Sequence, residues 1–399
     1  MLIYNAELWT LNNDEVIENG WLWIQNGYIR SLGKGSPPPE ALSGEAIDAN
    51  GQIVMPGLVD CHCHLMEYAT SEVHKTLGAS QSMAATANLL TALQCGITSL
   101  GEHNLGHPAL SMPMEEYESL RDTLPIRIYL AFGCCQLGFE PPVCTSATRP
   151  KSAFSEEELT EDEYREMARR SDFAGENIFL NYTCANAPLE AVPHAGMVTY
   201  SKNNLRRIID IFHEQGKKIG AHIENDDSTR LFLDCGGDVI HHGHNISLET
   251  MDMIADKGIP MVLTPAAGTS KRPTSPNEAW ELYRRGVPLS IASDSYIPPH
   301  PEASWIDLPS GHLAGPKDFL KIAAETLRYL VEKGVSRSKA LELITKNPAK
   351  LLRPDAPPAE LVPGALGDVI ICRRLPALET TDPEDVRGVV VSGQLVVFK

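Results

Sequence analysis

The sequence predicts an α/β fold, a (β/α)8 TIM barrel with a small β-sandwich domain formed by the N- and C-terminal segments. Two observations predict it. The middle of the 399-residue chain alternates short apolar runs with helical segments, which is typical of parallel barrels. Both ends instead show short strands separated by turns. We therefore expect a sandwich domain at residues 1–52 and 360–399 and a barrel domain at residues 53–359.

The terminal segments carry the signals of short strands. Apolar runs such as residues 6–11 and 20–25 are separated by turns, and the Asn26–Gly27 pair is a strong hairpin signal. Residues 386–399 return to the same pattern of Val-rich runs broken by Ser-Gly. Strands from both ends of the chain are therefore expected to form one small domain.

Eight apolar runs in the middle of the chain are candidates for the barrel strands. In chain order they are QIVMPGLVD, GITSLG, IRIYLAF, NIFLNYT, KKIGAHIE, GDVIHHG, IPMVLTP and VPLSIASDS. Amphipathic helices are predicted between several of them, for example at residues 200–216 and 247–258, each ending in the Gly that helix C-termini favour. Two more helical segments, residues 317–334 and 336–352, are expected to pack outside the barrel.

Composition excludes several classes of partner. The formal net charge of −18 disfavours nucleic acid and anionic membranes as partners. The expected substrate is a small molecule. No stretch is apolar and long enough to span a bilayer, and the N-terminus lacks the basic region of a signal peptide. Nine cysteines without CxxC spacing do not describe a disulfide framework, so we expect a reduced, cytoplasmic location.

Metal-binding residue types gather where the predicted strands end. His62 and His64 are two residues apart in VMPGLVDCHCHL, so in a strand they share one face. The carboxyl ends of barrel strands meet at one rim, which brings these imidazoles towards residues from later strands. Those residues are His222, Glu224, His241, His242, His244 and Asp294. Neutral imidazole and carboxylate suit zinc or ferrous iron, so the sequence predicts a metal site.

The segment PGLVDCHCH resembles the PGxxDxHxH signature of the amidohydrolase superfamily, and His222, His242 and Asp294 match its later ligands. The likeness covers nearly the whole chain: the β-rich start resembles the appended sandwich, and ITKNPAKLL resembles a helix near the end of those proteins. Residues 219–299 are most similar to the imidazolonepropionase and cyclic-amide branch. The resemblance implies hydrolysis at a carbon–nitrogen centre by a metal-bound water, and a homo-oligomer, a dimer or larger.

The expected metal centre holds one divalent ion, zinc or iron, on His62, His64, His222 and Asp294. Dinuclear relatives carry a carboxylated lysine on the fourth strand, which the segment NIFLNYTCANAP lacks, although Cys184 or Glu102 offers an alternative support for a second ion. Asp294 is predicted to act as general base and then general acid.

His242 is expected to stabilise the developing oxyanion. Neighbours on a strand point to opposite faces, so the match with the superfamily places His242 inside the barrel and His241 outside.

Candidate substrate contacts follow the same strand ends. They are Glu102, His103, Glu224, Arg272 and Tyr296. A solvated loop pair is an equal alternative for Glu102 and His103, and a plain surface loop is an alternative for Lys271 and Arg272. Tyr296 and His300 lie on the loop after Asp294, while Cys134 and Cys135 are small core residues or pocket residues.

Three functions remain open at this point. The first is hydrolysis of a cyclic amide or related amide, acting on carbon–nitrogen bonds other than peptide bonds. The second is an aminohydrolase that deaminates a nitrogen heterocycle, which differs by releasing ammonia. The third is a catalytically inactive scaffold, which the complete set of ligand residues argues against.

Overall fold

The structure is a computed structural model that describes residues 1–66, 80–105, 112, 114–133, 160–181, 196–266, 272–296, 299–309 and 311–399. Its strands are β1 Leu2–Trp9, β2 Val16–Gln25, β3 Tyr28–Lys34, β4 Ala46–Asp48, β5 Ile53–Pro56, β6 Leu58–Cys63, β7 Ile97–Leu105, β8 Arg127–Phe132, β9 Ile178–Phe179, β10 Gly220–Ile223, β11 Val239–His242, β12 Met261–Leu263, β13 Leu289–Ile291, β14 Val369–Cys372, β15 Val386–Val391 and β16 Gln394–Phe398. Its α-helices are α1 Gln81–Gln94, α2 Met114–Thr123, α3 Glu161–Arg170, α4 Lys202–Glu214, α5 Asp226–Cys235, α6 Leu248–Lys257, α7 Pro276–Arg284, α8 Phe319–Glu332, α9 Arg337–Leu341 and α10 Lys346–Leu352.

Strands from both ends of the chain form one sheet, in the order β16-β15-β14-β5-β1-β2-β3, with β4 beside β1. The predicted hairpin turn joins β2 and β3, where Asn26 and Gly27 have φ angles of 53° and 81°. Alternation along β5 buries both faces of the sheet: Met55 joins the core of the chain's middle, and Val54 joins a separate core within the terminal sheet.

The segment 53–56 corrects our domain boundary. The sequence places it at the start of the barrel, but β5 pairs with β1 and β14 in the terminal sheet, and β6 begins only after Gly57. A Cβ atom at Gly57 would lie 2.1 Å from Thr98 Oγ1, so only glycine lets the chain pass this closely from one sheet to the next.

The middle of the chain has a TIM-barrel-like α/β architecture. Its parallel strands form two sheets, β6-β7-β8 and β9-β10-β11-β12-β13, and each of these strands overlaps one of the predicted runs. Backbone hydrogen bonds link the first of these strands to the residues after the last: Asp294 N donates to His62 O (2.9 Å), and His64 N donates to Ser295 O (2.7 Å).

The predicted helices are present and have the expected ends. In α4 and α6 a serine caps the N-terminus, and the left-handed residues Gly216 and Gly258 follow at the C-termini. The segment 336–352 is broken into α9, a short 3-10 turn and α10, because Pro348 has no N–H to donate and is tolerated only near a helix start. Within the described ranges, no helix combines the length and the apolar character needed to cross a membrane.

Gly57→Ala tests the close passage between the two sheets. The added methyl group overlaps the Thr98 side chain, so we expect the free energy of unfolding to fall by about 1–3 kcal/mol, as measured by chemical denaturation. The matched control is Gly44→Ala, because Gly44 is extended and a Cβ there meets no atom within 4 Å. Equal effects of the two substitutions would contradict this account of Gly57.

Candidate metal centre

The side chain of Asp60 places the first strand of the site against the last. Asp60 is buried on β6 and accepts hydrogen bonds from the backbone N (3.0 Å) and the hydroxyl (2.5 Å) of Ser293. Ser293 precedes Asp294, so this contact fixes the Asp294 carboxylate beside the two histidines that follow Asp60. Burial raises the pKa of Asp60 to about 6, and the hydrogen bonds from Ser293 limit that rise.

His62, His64 and Asp294 form one compact group of donor atoms, all within 4.8 Å of one another. Asp294 Oδ1 lies 3.0 Å from His64 Nε2 and 3.4 Å from His62 Nε2. Burial alone would lower the pKa of His64, but the hydrogen bond and charge of Asp294 outweigh it and raise the pKa to about 9. Burial would raise the pKa of Asp294, and the charge of His62 instead holds it well below its usual range.

Glu176 is a member of the site that the sequence did not predict. Its carboxylate is buried and contacts His242 Nε2, lies 3.1 Å from His222 Nδ1 and lies 3.7 Å from His62 Nε2. Donor atoms of His62, Glu176 and His242 form a second group within 4.8 Å. Burial would raise the pKa of Glu176, but the charges of His62 and His242 hold it well below its usual range.

The position of Glu176 explains why it was missed. It lies two residues before β9, whereas the active-site residues of parallel barrels are expected at the carboxyl ends of the strands. Its only signal is an acidic residue directly before a buried strand, after Ala174 and Gly175. Three residues after Glu176, at the end of β9, Phe179 stacks on the His222 ring, with ring centroids 4.3 Å apart.

His222 lies between two carboxylates. Its Nδ1 faces Glu176, and its Nε2 lies 3.1 Å from Glu224 Oε1, so Glu224 occupies the same side of the strand as the sequence indicates. Burial would lower the pKa of His222, and the hydrogen bonds to Glu176 and Glu224 raise it to about 10. His222 is not in the group of close donor atoms formed by His62, His64 and Asp294. The Glu176 carboxylate lies between His222 and His62.

The prediction that His241 packs outside the barrel is wrong. Its Nδ1 lies 2.9 Å from His62 Nδ1, and the ring is fully buried. His242 also reaches the site, where its Nδ1 lies 2.7 Å from Thr264 Oγ1. Simple alternation fails because His242 has a left-handed φ of 66°, so the last residue of β11 departs from strand geometry. Burial lowers the pKa of both His241 and His242.

His103 and Glu102, two of the predicted substrate contacts, are buried and bonded to neighbouring residues. His103 stacks on His62 with ring centroids 4.0 Å apart, its Nε2 lies 3.1 Å from Cys61 O, and its Nδ1 accepts from Glu176 N. β7 continues to Leu105, so His103 lies within this strand, and its side chain is fully buried. Glu102 accepts from the backbone N atoms of Leu65 (2.9 Å) and Met66 (2.8 Å), and burial raises its pKa to about 7.

Two other predicted substrate contacts, Arg272 and Tyr296, bond to residues outside the groups of close donor atoms. Arg272 pairs with Glu278, which completes the capping box at the start of α7, so this guanidinium has a structural partner. Tyr296 donates a hydrogen bond from its hydroxyl to Asn88 Oδ1 on α1 (3.2 Å). His300 is partly buried, and its backbone N donates to Ala266 O. Cys134, Cys135, Cys184 and Lys271 lie outside the described residues.

The donor set fits a divalent cation. His62 Nε2 and Asp294 Oδ2 are buried, and neither makes a hydrogen bond within the described part of the chain. A buried carboxylate oxygen without a partner is costly unless a cation or a proton satisfies it. The third group of close donors, His62, His103 and His241, fits less well, because the nitrogens of His103 and His241 are already bonded to backbone groups or to His62.

Buried imidazoles and carboxylates that could hold a divalent ion lie at the ends of parallel strands in a TIM-barrel-like α/β fold. The model of the amidohydrolase family matches residues 53–396, and the chain belongs to this family. This finding confirms the resemblance seen in PGLVDCHCH and makes the chain a metal-dependent hydrolase.

Three similar proteins act on different molecules, by their names. An imidazolonepropionase of Chromobacterium violaceum is 22% identical over 373 residues, covering 89% of this chain and 85% of that protein. An adenine deaminase of Archaeoglobus fulgidus is 23% identical over 414 residues, covering 100% of this chain and 58% of that protein. The structure of a Xaa-Pro dipeptidase with bound methionine superposes with a TM-score of 0.73 at 18% identity, covering 99% of each chain.

Zinc added to chelator-treated protein should raise its thermal stability. A ligand that binds only the folded state stabilises it by about 2.7 kcal/mol at 100 times its Kd, and a melting curve reports this. His62→Ala and His64→Ala should lose the shift. The control His213→Ala should keep it, because His213 is a surface residue paired with Asp238. An undiminished shift in the His62 and His64 variants would place the ion elsewhere.

Proposed function

We propose that this hydrolase opens a cyclic amide, or a related amide bond, in a small molecule. The observation that carries the proposal is the buried Asp294 carboxylate, which contacts His64 through one oxygen and has no hydrogen-bond partner for the other within the described residues. A metal ligand with a free oxygen beside the reacting atoms is suited to move a proton during hydrolysis. The similarity to an imidazolonepropionase over most of both chains supports the cyclic-amide class.

His62, His64 and Asp294 would hold one divalent ion, zinc or iron, and His222 is the further ligand predicted from the sequence. The chemistry supplied at such a centre is Lewis acidity, which polarises a substrate carbonyl and makes hydroxide available near neutral pH. Imidazole nitrogen and carboxylate oxygen suit these ions.

Asp294 acts on protons in two steps of the proposed reaction. The neighbouring imidazoles hold the pKa of Asp294 well below its usual range although the group is buried, so the carboxylate is ionised and accepts a proton from the attacking water. The same carboxyl group then returns the proton to the departing nitrogen. His242 is the proposed donor to the negative oxygen that develops on the carbonyl. For this role it would have to redirect its Nε2–H, which faces Glu176 in the structure, to the substrate.

Deamination of a nitrogen heterocycle is the second candidate. Glu224 lies 3.1 Å from His222 and provides a second buried carboxylate for proton transfer at this side of the site. The similarity to an adenine deaminase supports it. The likeness to a Xaa-Pro dipeptidase concerns the fold alone, so peptides belong in the test as a separate class of substrate.

The proposal extends to the whole molecule. We propose that the two parallel sheets close into a (β/α)8 barrel and that the terminal sheet forms a sandwich. The backbone hydrogen bonds from Asp294 N to His62 O and from His64 N to Ser295 O support the closure. A homo-oligomer and a small-molecule substrate remain predictions. Among the described residues, the free cysteines are buried thiols, which supports a reducing, cytoplasmic location.

A substrate panel tests the reaction class directly. We expect the zinc-loaded protein to hydrolyse a cyclic amide, with carboxylate formed and no ammonia released. The panel includes cyclic amides, N-acyl amino acids, Xaa-Pro dipeptides and aminated heterocycles, with ammonia measured separately from ring opening. Ammonia release from a heterocycle, without turnover of any amide, would favour the deaminase instead.

Asp294→Asn should lower turnover by at least ~10²-fold, the loss typical of removing a general base. The amide has nearly the same shape, so the protein should fold and can retain some metal. Steady-state kinetics on the substrate found in the panel measure the loss, and circular dichroism checks the fold. Near-native turnover would refute the role of Asp294 and make Glu224 the leading candidate.

Elemental analysis of protein purified without chelator should find about one zinc or iron ion per chain. Glu176→Gln should leave that number unchanged if Glu176 only neutralises the neighbouring histidines. Two ions per chain in the original protein and one in the variant would show that the Glu176 carboxylate joins two ions.

A further inference from the structure

His241 packs against His62 in the candidate metal centre. It is the last residue but one of β11, and the centroid of its ring lies 5.0 Å from that of His62. Its Nδ1 lies 2.9 Å from His62 Nδ1, and its Nε2 lies 3.2 Å from the backbone oxygen of Ala174. Both ring nitrogens of His241 therefore face one defined partner each.

The positions of the protons follow from these partners. A carbonyl oxygen only accepts, so His241 Nε2 carries the hydrogen that it donates to Ala174 O. A neutral imidazole has a single N–H, and His241 Nδ1 is therefore an acceptor. The hydrogen between the two Nδ1 atoms then belongs to His62, because two lone pairs at 2.9 Å would repel.

This arrangement determines which nitrogen of His62 is free to bind metal. With its hydrogen on Nδ1, neutral His62 has its lone pair on Nε2. That atom lies 3.4 Å from Asp294 Oδ1 and 3.7 Å from Glu176 Oε2, and it has no hydrogen-bond partner among the described residues. The lone pair of His62 Nε2 therefore faces the carboxylates of Asp294 and Glu176.

The ring of His241 is held tightly in this orientation. A Cβ atom at Gly220, on the neighbouring strand, would lie 3.0 Å from His241 Nε2 and 2.0 Å from Gly175 O. His103 packs edge-on against the same ring, with centroids 5.0 Å apart. Gly220 and His103 thus pack closely against the His241 ring, and the partners of its two nitrogens, His62 and Ala174, fix its orientation.

We propose that His241 is a positioning residue, which accepts the Nδ1 hydrogen of His62 and so commits His62 Nε2 to the metal. The inference rests on the proposed metal centre. Outer partners of this kind fix the tautomer and orientation of a metal-binding histidine, and their loss typically weakens metal binding by about 10- to 100-fold. His241 thereby becomes necessary to the site, although it does not touch the ion.

Two substitutions of similar size separate the hydrogen bond from the volume of the ring. His241→Asn keeps an acceptor near the position of Nδ1, and His241→Leu removes it. Competition with a chromophoric chelator gives the zinc Kd of each folded protein. We expect His241→Leu to bind zinc at least about 10-fold more weakly than the original protein, and His241→Asn to recover most of the loss.

The outcomes separate this inference from the proposed function. Equal zinc Kd values for the Leu and Asn variants would overturn it. If both variants also changed the Co²⁺ absorption spectrum, His241 would be a direct ligand of the ion and not a positioning residue. Absence of zinc binding by the original protein would instead refute the metal centre itself, and zinc binding without hydrolysis would refute only the proposed reaction.

A measurement on the unsubstituted protein covers the case in which the variants do not fold. Histidine labelled with ¹⁵N reports which ring nitrogen carries the hydrogen. In zinc-free protein at a pH where His62 is neutral, we expect the Nδ1–H form of His62 and a scalar coupling between His62 Nδ1 and His241 Nδ1 across the hydrogen bond. The Nε2–H form of His62 would overturn the inference.

Discussion

The contact between Asp60 and Ser293 is the constraint on which the site depends. It joins β6 to the residues that follow β13, which are more than two hundred positions away in the sequence. Without this contact His62 and His64 would be one pair of imidazoles on one strand. With it, and with the backbone hydrogen bond from Asp294 N to His62 O, a carboxylate faces both rings.

The second general feature is a concentration of ionisable groups away from water. Buried charges are stable only when opposite charges or metal ions compensate them. Asp294 and Glu176 meet this condition partly through His62, His64 and His242, and a bound cation would complete it. The shifted pKa values of these residues have the same origin, since each carboxylate is held ionised by neighbouring imidazoles. The two ionised carboxylates therefore give the site the negative charge that a cation would balance.

Much of this could be predicted from the sequence, because the signals were local. Strand alternation placed His62 with His64 and His222 with Glu224, and the order of apolar runs located the parallel strands. Long-range packing accounts for what was missed. Glu176 precedes its strand. His241 faces the site like His222, its register partner on the neighbouring strand, and His242 reaches the site through its left-handed conformation. Neither fact has a pattern in the sequence.

The central claim is that one cation is held by His62 Nε2, His64 and Asp294, above a floor of hydrogen-bonded histidines. Anomalous diffraction from crystals of the zinc-loaded protein, collected on both sides of the zinc absorption edge, tests it most directly. The account predicts a single strong peak within bonding distance of those residues, with His62 Nδ1 still directed at His241. A peak between His62, His103 and His241, or no zinc peak at this end of the strands, would contradict it.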